Sequence, residues 1–304
     1  MNLYFFKPAA VIRVTGEDAF TFLQGQFTNE LRQSQGSSIY GLWLSQKGKV
    51  LADSHVLKVT ENEFILVSMG SPAAVILQRL EPYIIADDVV LVDESGNMTG
   101  LAVWGGKCGE ILKAQAGSLP ESGRFLQQDR WLIFPGRRSA GENYEIIGPE
   151  SGIDEWRRKL TVAGASEATI DDAEEMRIAS GIPAVPADIG PTDLPNEAGL
   201  ESTAISFTKG CYLGQEVMAR LKNLGQVRRQ LQGVRGDGAA PERGTLLYQG
   251  EKKAGEIRSA VSTAEGFIAL AMLSRTGLDD NLGFCFSPSD PASQKPVVWM
   301  NSQH

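Results

Sequence analysis

One sulfur draws attention first. Cys211 stands in the segment Lys209-Gly210-Cys211-Tyr212-Leu213-Gly214-Gln215-Glu216-Val217-Met218-Ala219-Arg220. Lys209-Gly210 reads as a turn, and Gln215 to Leu221 is rich in helix formers. That places the thiol two residues from an ammonium group and just ahead of a helix N-terminus, both of which favour thiolate. Lowering a cysteine from its usual ~8.5 by two units takes only about 2.7 kcal/mol of differential stabilisation. Glu216 and Arg220 are spaced i,i+4 in the favourable order and would hold the helix. Such a sulfur exchanges with other thiols or ligates soft metals. The plainer reading, a small buried hydrophobe, is assigned to Cys108 and Cys285; for Cys211 the residues alone leave both readings open.

Composition narrows the class. The 304 residues fit about two domains, with three small ones allowed. Three cysteines without a CxxC pair give no disulfide framework, so a reducing, cytoplasmic compartment is expected. His55 and His304 are the two histidines; they exclude a His-rich zinc site and leave only His55 for a Ser-His-Asp triad. No GxGxxG follows a strand and no GxxxxGK[ST] occurs, so no nucleotide loop is expected. No apolar run approaches the ~20 residues that span a bilayer, and the N-terminus does not read as a signal peptide, so no membrane partner is expected. The net charge of −8 argues against direct binding to nucleic acid. The basic stretch near Arg220 to Arg229 has no aromatic stacking position, since none lies between Tyr212 and Tyr248. It follows an acidic stretch from Glu167 to Glu201, and the two read as solvated faces, the basic one also a candidate anion surface.

The elements that must position these groups follow from periodicity. Thr15-Gly16-Glu17-Asp18 reads as a cap before a helix carrying Phe20, Leu23 and Phe27, with Thr28 opening a short second one. Strands are expected at Ile39 to Leu44, Val50 to Val59, Phe64 to Ser68 and Val89 to Val92, with turns at 46–49 and 61–62. Ser71-Pro72 reads as cap and first residue of a helix. A second round has strands near 101–104, 131–134 and 144–147, a helix near 110–116, and a helix capped by Ser151. A helix from Asp171 ends at Gly181, and the prolines that follow make a long irregular stretch to about Glu201. Short glycine-rich strands after Arg229 read as a separate small β-barrel or sandwich. Turns too short for parallel crossovers make the class α+β, with antiparallel sheets.

The Lys209–Arg220 segment resembles the signature of the YgfZ family of folate-binding, iron–sulfur-related proteins, K-G-C-[FY]-x-G-Q-E followed by A-R, at every position. The resemblance extends to Asp18 with Phe22-Leu23-Gln24-Gly25-Gln26 and Thr28-Asn29, to Lys47-Gly48-Lys49-Val50-Leu51-Ala52-Asp53, to Arg177-Ile178-Ala179-Ser180-Gly181-Ile182-Pro183, and to Leu194-Pro195-Asn196-Glu197. The C-terminal region matches loosely. The architecture is shared with the glycine-cleavage T protein, an aminomethyltransferase that uses tetrahydrofolate. The resemblance implies two α+β subdomains of that type in residues 1–229, interleaved with switches near 45 and 135, plus a β-barrel in 230–304, around a central folate cavity.

It further implies tetrahydrofolate, or another folate, as cofactor, with Cys211 near the cavity rim and Lys209 stabilising its thiolate. Tyr40 and Trp43 are the candidate walls, and Asp53, Arg177 and Glu197 the candidate polar or charged contacts. The transferase carries paired aspartates where this chain has Ala52-Asp53, and a glutamate where it has Ala179. Alanine can neither bind a pterin N–H nor move a proton, so aminomethyl transfer is not expected. The reading is an accessory factor for iron–sulfur cluster assembly or repair, with assembly proteins and client enzymes, including radical enzymes that modify tRNA, as partners. A folate-dependent one-carbon enzyme and a pure binding module are the alternatives.

Overall fold

The computed structural model describes residues 1–224, 227–279, 281–288 and 297–300. His304 and part of the basic stretch, Gly225 and Gln226, lie outside them. Three sheets organise the chain. The first has five antiparallel strands, Ala10–Thr15, Ser38–Leu44, Val50–Lys58, Glu63–Ser68 and Val90–Asp93. The second has six, among them Asn2–Phe6, Met98–Trp104, Trp131–Pro135 and Asn143–Pro149, with one short parallel pairing at Ser166–Glu167. The chain crosses between the two sheets after Phe6 and again after Asp93. Position 45 falls in a turn within the first sheet, and 135 ends a strand of the second.

These two sheets face one another and carry their helices outside. Val11, Leu57, Ile65 and Val67 meet Phe134 and Ile147 between the sheets. On the outer face of the first, Phe22, Leu23 and Ile76 from the helices Ala19–Gln26 and Ala73–Leu80 pack on Trp43, Ala52 and Phe64. On the second, Leu112, Trp156 and Leu160 cover Leu3, Val103 and Ile146. Burial on both faces explains the nearly unbroken apolar runs of these strands. The third sheet joins Arg229–Gly236, Leu246–Gln249, Lys252–Thr263, Gly266–Ser274 and Val298–Trp299, all antiparallel. Bulges at Leu247/Tyr248 and Ile257/Ser259 bend it. Val261 and Leu270 on its face pack against Ile178 of the Ile170–Ala179 helix.

Most expected elements form, but several caps differ. Asp18, not Thr15, is the N-cap of the first helix; its carboxylate accepts from the Asp88 amide instead of its own helix. Thr28 opens no helix: its hydroxyl donates to the Ala204 carbonyl and accepts from the Leu42 amide. Pro72 takes the cap position given to Ser71, and Gly152 the one given to Ser151. Thr169, unmarked in the sequence reading, makes a complete capping box with Asp172. The acidic and basic stretches are solvated faces only in part: Asp171, Asp172, Glu175, Arg220 and Arg228 are exposed, but Asp188, Asp193 and Glu197 are buried against arginines.

Candidate functional site

Cys211 is the exposed member of the three free cysteines; Cys108 and Cys285 are buried. Burial and the neighbouring Glu142 carboxylate push the Cys108 thiol up to about 11. Cys211 precedes the helix Gln215–Leu224 by a turn, and its Sγ makes no hydrogen bond among the described residues. Its loop is stitched to the end of the Ala19–Gln26 helix. The Leu213 amide donates to the Gly25 carbonyl, and the Ser206 amide to that of Thr28. The side-chain amide of Asn29 donates to the Thr203 carbonyl.

Lys209 is the strongest of these stitches, which corrects its expected role. Its buried ammonium donates to the carbonyls of Gln24 at 2.8 Å, Phe27 at 2.6 Å and Asn29 at 2.8 Å. Gln24 lies in the last turn of the helix, Phe27 is its C-cap and Asn29 follows it, so the lysine satisfies carbonyls that no helical amide reaches. Burial brings its pKa down to about 8. Tyr212 is buried with its ring 5.3 Å from that ammonium. Gly214 has φ +89°, and a Cβ there would meet the Ser45 carbonyl at 2.9 Å. Gly210 is exposed beside Arg32, with room for a Cβ. Gln215 opens the helix half-buried, while Glu216 and Arg220 are exposed and form no ion pair among the described residues. The signature thus builds a rigid mount for one accessible sulfur.

A cavity of about 180 Å³ lies where the first two sheets meet the Ile170–Ala179 helix and the 182–185 loop. Tyr40, Asp53 and Arg177, three of the candidate contacts, line it. Cross-strand pairing of Tyr40 with His55 and of Leu42 with Asp53 puts these residues on one face of the sheet. Asp53 accepts from the hydroxyls of Ser68 at 3.0 Å, Ser71 at 2.7 Å and Tyr40 at 3.1 Å. Burial raises its carboxyl pKa against those hydrogen bonds, which pull it down. Ser71 is therefore a ligand of Asp53, which is why it does not cap the following helix. Arg177 is fully engaged: it holds both Glu174 oxygens, Asp188 at 2.6 Å and the Ile182 carbonyl at 2.7 Å.

Trp43 and Glu197 do not line this cavity. Three residues beyond Tyr40, Trp43 points to the opposite face, fully buried, 4.8 Å from the Phe27 ring and donating to the Ser54 hydroxyl. Glu197 pairs with Arg229 at 3.0 Å and accepts from the Leu194 amide. Ala52 lies in the core on the Trp43 face, and Ala179 is exposed on another groove. Neither alanine therefore marks a carboxylate missing from the cavity. Cys211 is not among the lining residues; the link runs through Asn29, whose carbonyl holds Lys209 and whose amide donates to the Tyr40 carbonyl at 2.8 Å.

Four cavity residues escaped the sequence reading. Arg137 stacks 3.7 Å above the Tyr40 ring centroid and makes no ion pair among the described residues. Glu145, held by Arg138 at 2.7 Å, is buried with Oε2 unpartnered, and burial raises its pKa. His55 packs between Tyr40 and Phe134, and burial lowers its pKa to about 3. The signals were present: His55 is two residues from Asp53 on a strand, and Arg137-Arg138 is a basic pair in the loop after a strand.

Comparison with known proteins agrees with this architecture. The family of the GCVT N-terminal domain matches residues 7–128. The solved aminomethyltransferase T of the glycine cleavage system from Bartonella henselae superposes with a TM-score of 0.84 over 99% of this chain and 85% of that one, at 18% identity. A tRNA-modifying protein YgfZ from Edwardsiella ictaluri is 29% identical over 274 residues, covering 85% of this chain and 80% of that protein. The mitochondrial iron–sulfur cluster assembly factor IBA57 of Homo sapiens is 26% identical over 283 residues, 86% of this chain and 74% of its own. The molecule is therefore built on the fold of the glycine-cleavage T protein. Within that class, the chain is similar over most of its length to proteins of the YgfZ family.

Proposed function

We propose that this chain is a folate-binding accessory factor in iron–sulfur cluster assembly or repair, serving clients that include tRNA-modifying radical enzymes, with Cys211 as its working thiolate. The observation that carries the reading is the one accessible sulfur, fixed on a loop pinned by Lys209 and Gly214. Relatives named as a tRNA-modifying protein and as an iron–sulfur cluster assembly factor support it. Among the described residues, no group of three or more His, Cys, Asp or Glu could hold a metal ion. Clusters normally take four protein ligands, so Cys211 supplies one and the partner the rest. The thiol proton leaves to water and the sulfur lone pair forms one bond to iron of the client's cluster, which is cargo.

The cavity suits tetrahydrofolate chemically. Asp53 and the unpartnered Glu145 Oε2 can accept from pterin N–H groups, Tyr40 offers an aromatic wall, and Arg137 is a cation for the anionic tail. Bound there, the folate would supply one-carbon chemistry or a structural signal, while these residues orient it. A folate-dependent one-carbon transferase is the second reading, favoured by Asp53 and Glu145 lining the cavity although Ala52 and Ala179 do not. Calorimetry with tetrahydrofolate tests the pair. Arg137→Ala should weaken affinity about tenfold, Cys211→Ser should leave it unchanged, and no one-carbon product should form. Enzymatic turnover of a folate one-carbon species by the pure protein would reverse the choice.

A further inference from the structure

A groove of about 580 Å³ runs beside the Cys211 loop and shares no lining residue with the Asp53 cavity. Lys47, Leu51, Val75, Arg79, Tyr83 and Leu213 form its main walls. Arg79 is 6% exposed. Its Nε donates to the Leu44 carbonyl at 2.7 Å and its Nη1 to Gln26 Oε1 at 2.9 Å, while Nη2 has no partner. Tyr83 covers the guanidinium, 4.9 Å from ring centroid to cation. No carboxylate pairs with Arg79 or with the exposed Lys47 among the described residues. A buried guanidinium without an anion is costly to desolvate, and an anion from outside would complete it. Leu213 is two residues from Cys211, so the groove ends within about 7 Å of the sulfur's residue along the chain.

We propose that this groove docks an acidic segment of the partner protein whose cluster Cys211 serves. Carboxylates of that segment meet the exposed Lys47 and, as Tyr83 swings off the guanidinium, Arg79, and its apolar side chains meet Leu51, Val75 and Leu213. The assignment rests on the reading of Cys211 above. A protein segment, more than a free anion, fits a groove of this volume that combines two cations with an apolar wall. Occupancy would set the partner's cluster over the sulfur, giving the single ligand its direction.

The probe is an acetylated pentapeptide alternating leucine and glutamate, compared with its glutamine counterpart by fluorescence anisotropy. The glutamate peptide should bind about fivefold tighter, in a salt-sensitive way, and slow iodoacetamide alkylation of Cys211. Lys47→Glu, an exposed position, should erase that difference; Arg79→Gln is the secondary variant, since its other bonds support the fold. Equal binding of the two peptides, or indifference to Lys47→Glu, would overturn the proposal, as would displacement by free glutarate at the peptide's own concentration. In cells, Lys47→Glu should lower tRNA modification. Normal modification with Lys47→Glu but loss with Cys211→Ser would reject the groove alone, whereas normal modification with Cys211→Ser would reject the function beneath it.

Discussion

Identical residue types do different work here because their surroundings differ. Cys108 lies against a carboxylate and buried backbone, which keeps it a thiol, while Cys211 stands in solvent. Sequence spacing located the sulfur but misread its lysine, because a side chain's reach says nothing about which acceptors are starved. Three carbonyls at and just beyond the end of the first helix hold the Lys209 ammonium in place of a neighbouring thiol. His55 gives a pH prediction. Its folded pKa of about 3 lies below the ordinary ~6.5, so unfolding takes up a proton between those values. Its contribution to stability is complete above pH 6.5 and is lost as pH falls towards 3. Between pH 6.5 and 4.5 that amounts to about 2.7 kcal/mol at most. Denaturant titrations of wild type and His55→Gln should show the wild type losing more stability over that window; parallel pH profiles would contradict a buried neutral imidazole.

At the scale of elements, naming both Tyr40 and Trp43 as walls overlooked strand alternation, which puts only Tyr40 on the cavity. Tyr40 and Trp43 are three apart and must face opposite ways, as the observed pairing confirms, and Asp53 shares Tyr40's face. Helix starts were less legible, since Ser71 can cap a helix or donate to Asp53 and only the fold decides. The long-range contacts between the first helix and the Lys209 loop were invisible as spacing, yet they join the two segments on which the resemblance rests. Lys209→Met should lower stability by about 3 kcal/mol, since buried carbonyls lose charged donors. Thermal unfolding measures this. A variant as stable as the parent but inactive would instead assign the lysine to the sulfur.

Over the whole molecule, ion pairs join the third sheet to the cavity wall. Asp193 accepts from Arg229 at 3.1 Å and from Arg258, and Asp188 links Arg177 to the Ser259 hydroxyl. Composition alone suggested solvated charge, because acidic and basic runs look the same whether they face water or each other. Removing one member of a buried pair strands the other. Asp193→Ala should therefore cost about 3–5 kcal/mol in denaturant unfolding; a loss below about 1 kcal/mol would mean that the arginines find water instead.

One cellular measurement tests the role of Cys211 most directly: the fraction of tRNA carrying the radical enzymes' modification in cells lacking this protein and supplied with each cysteine variant. Cys108→Ser and Cys285→Ser should restore it, and Cys211→Ser should not, while that variant should still fold and, on the proposed function, bind tetrahydrofolate as the parent does. Full restoration by Cys211→Ser would contradict the central role of the exposed sulfur.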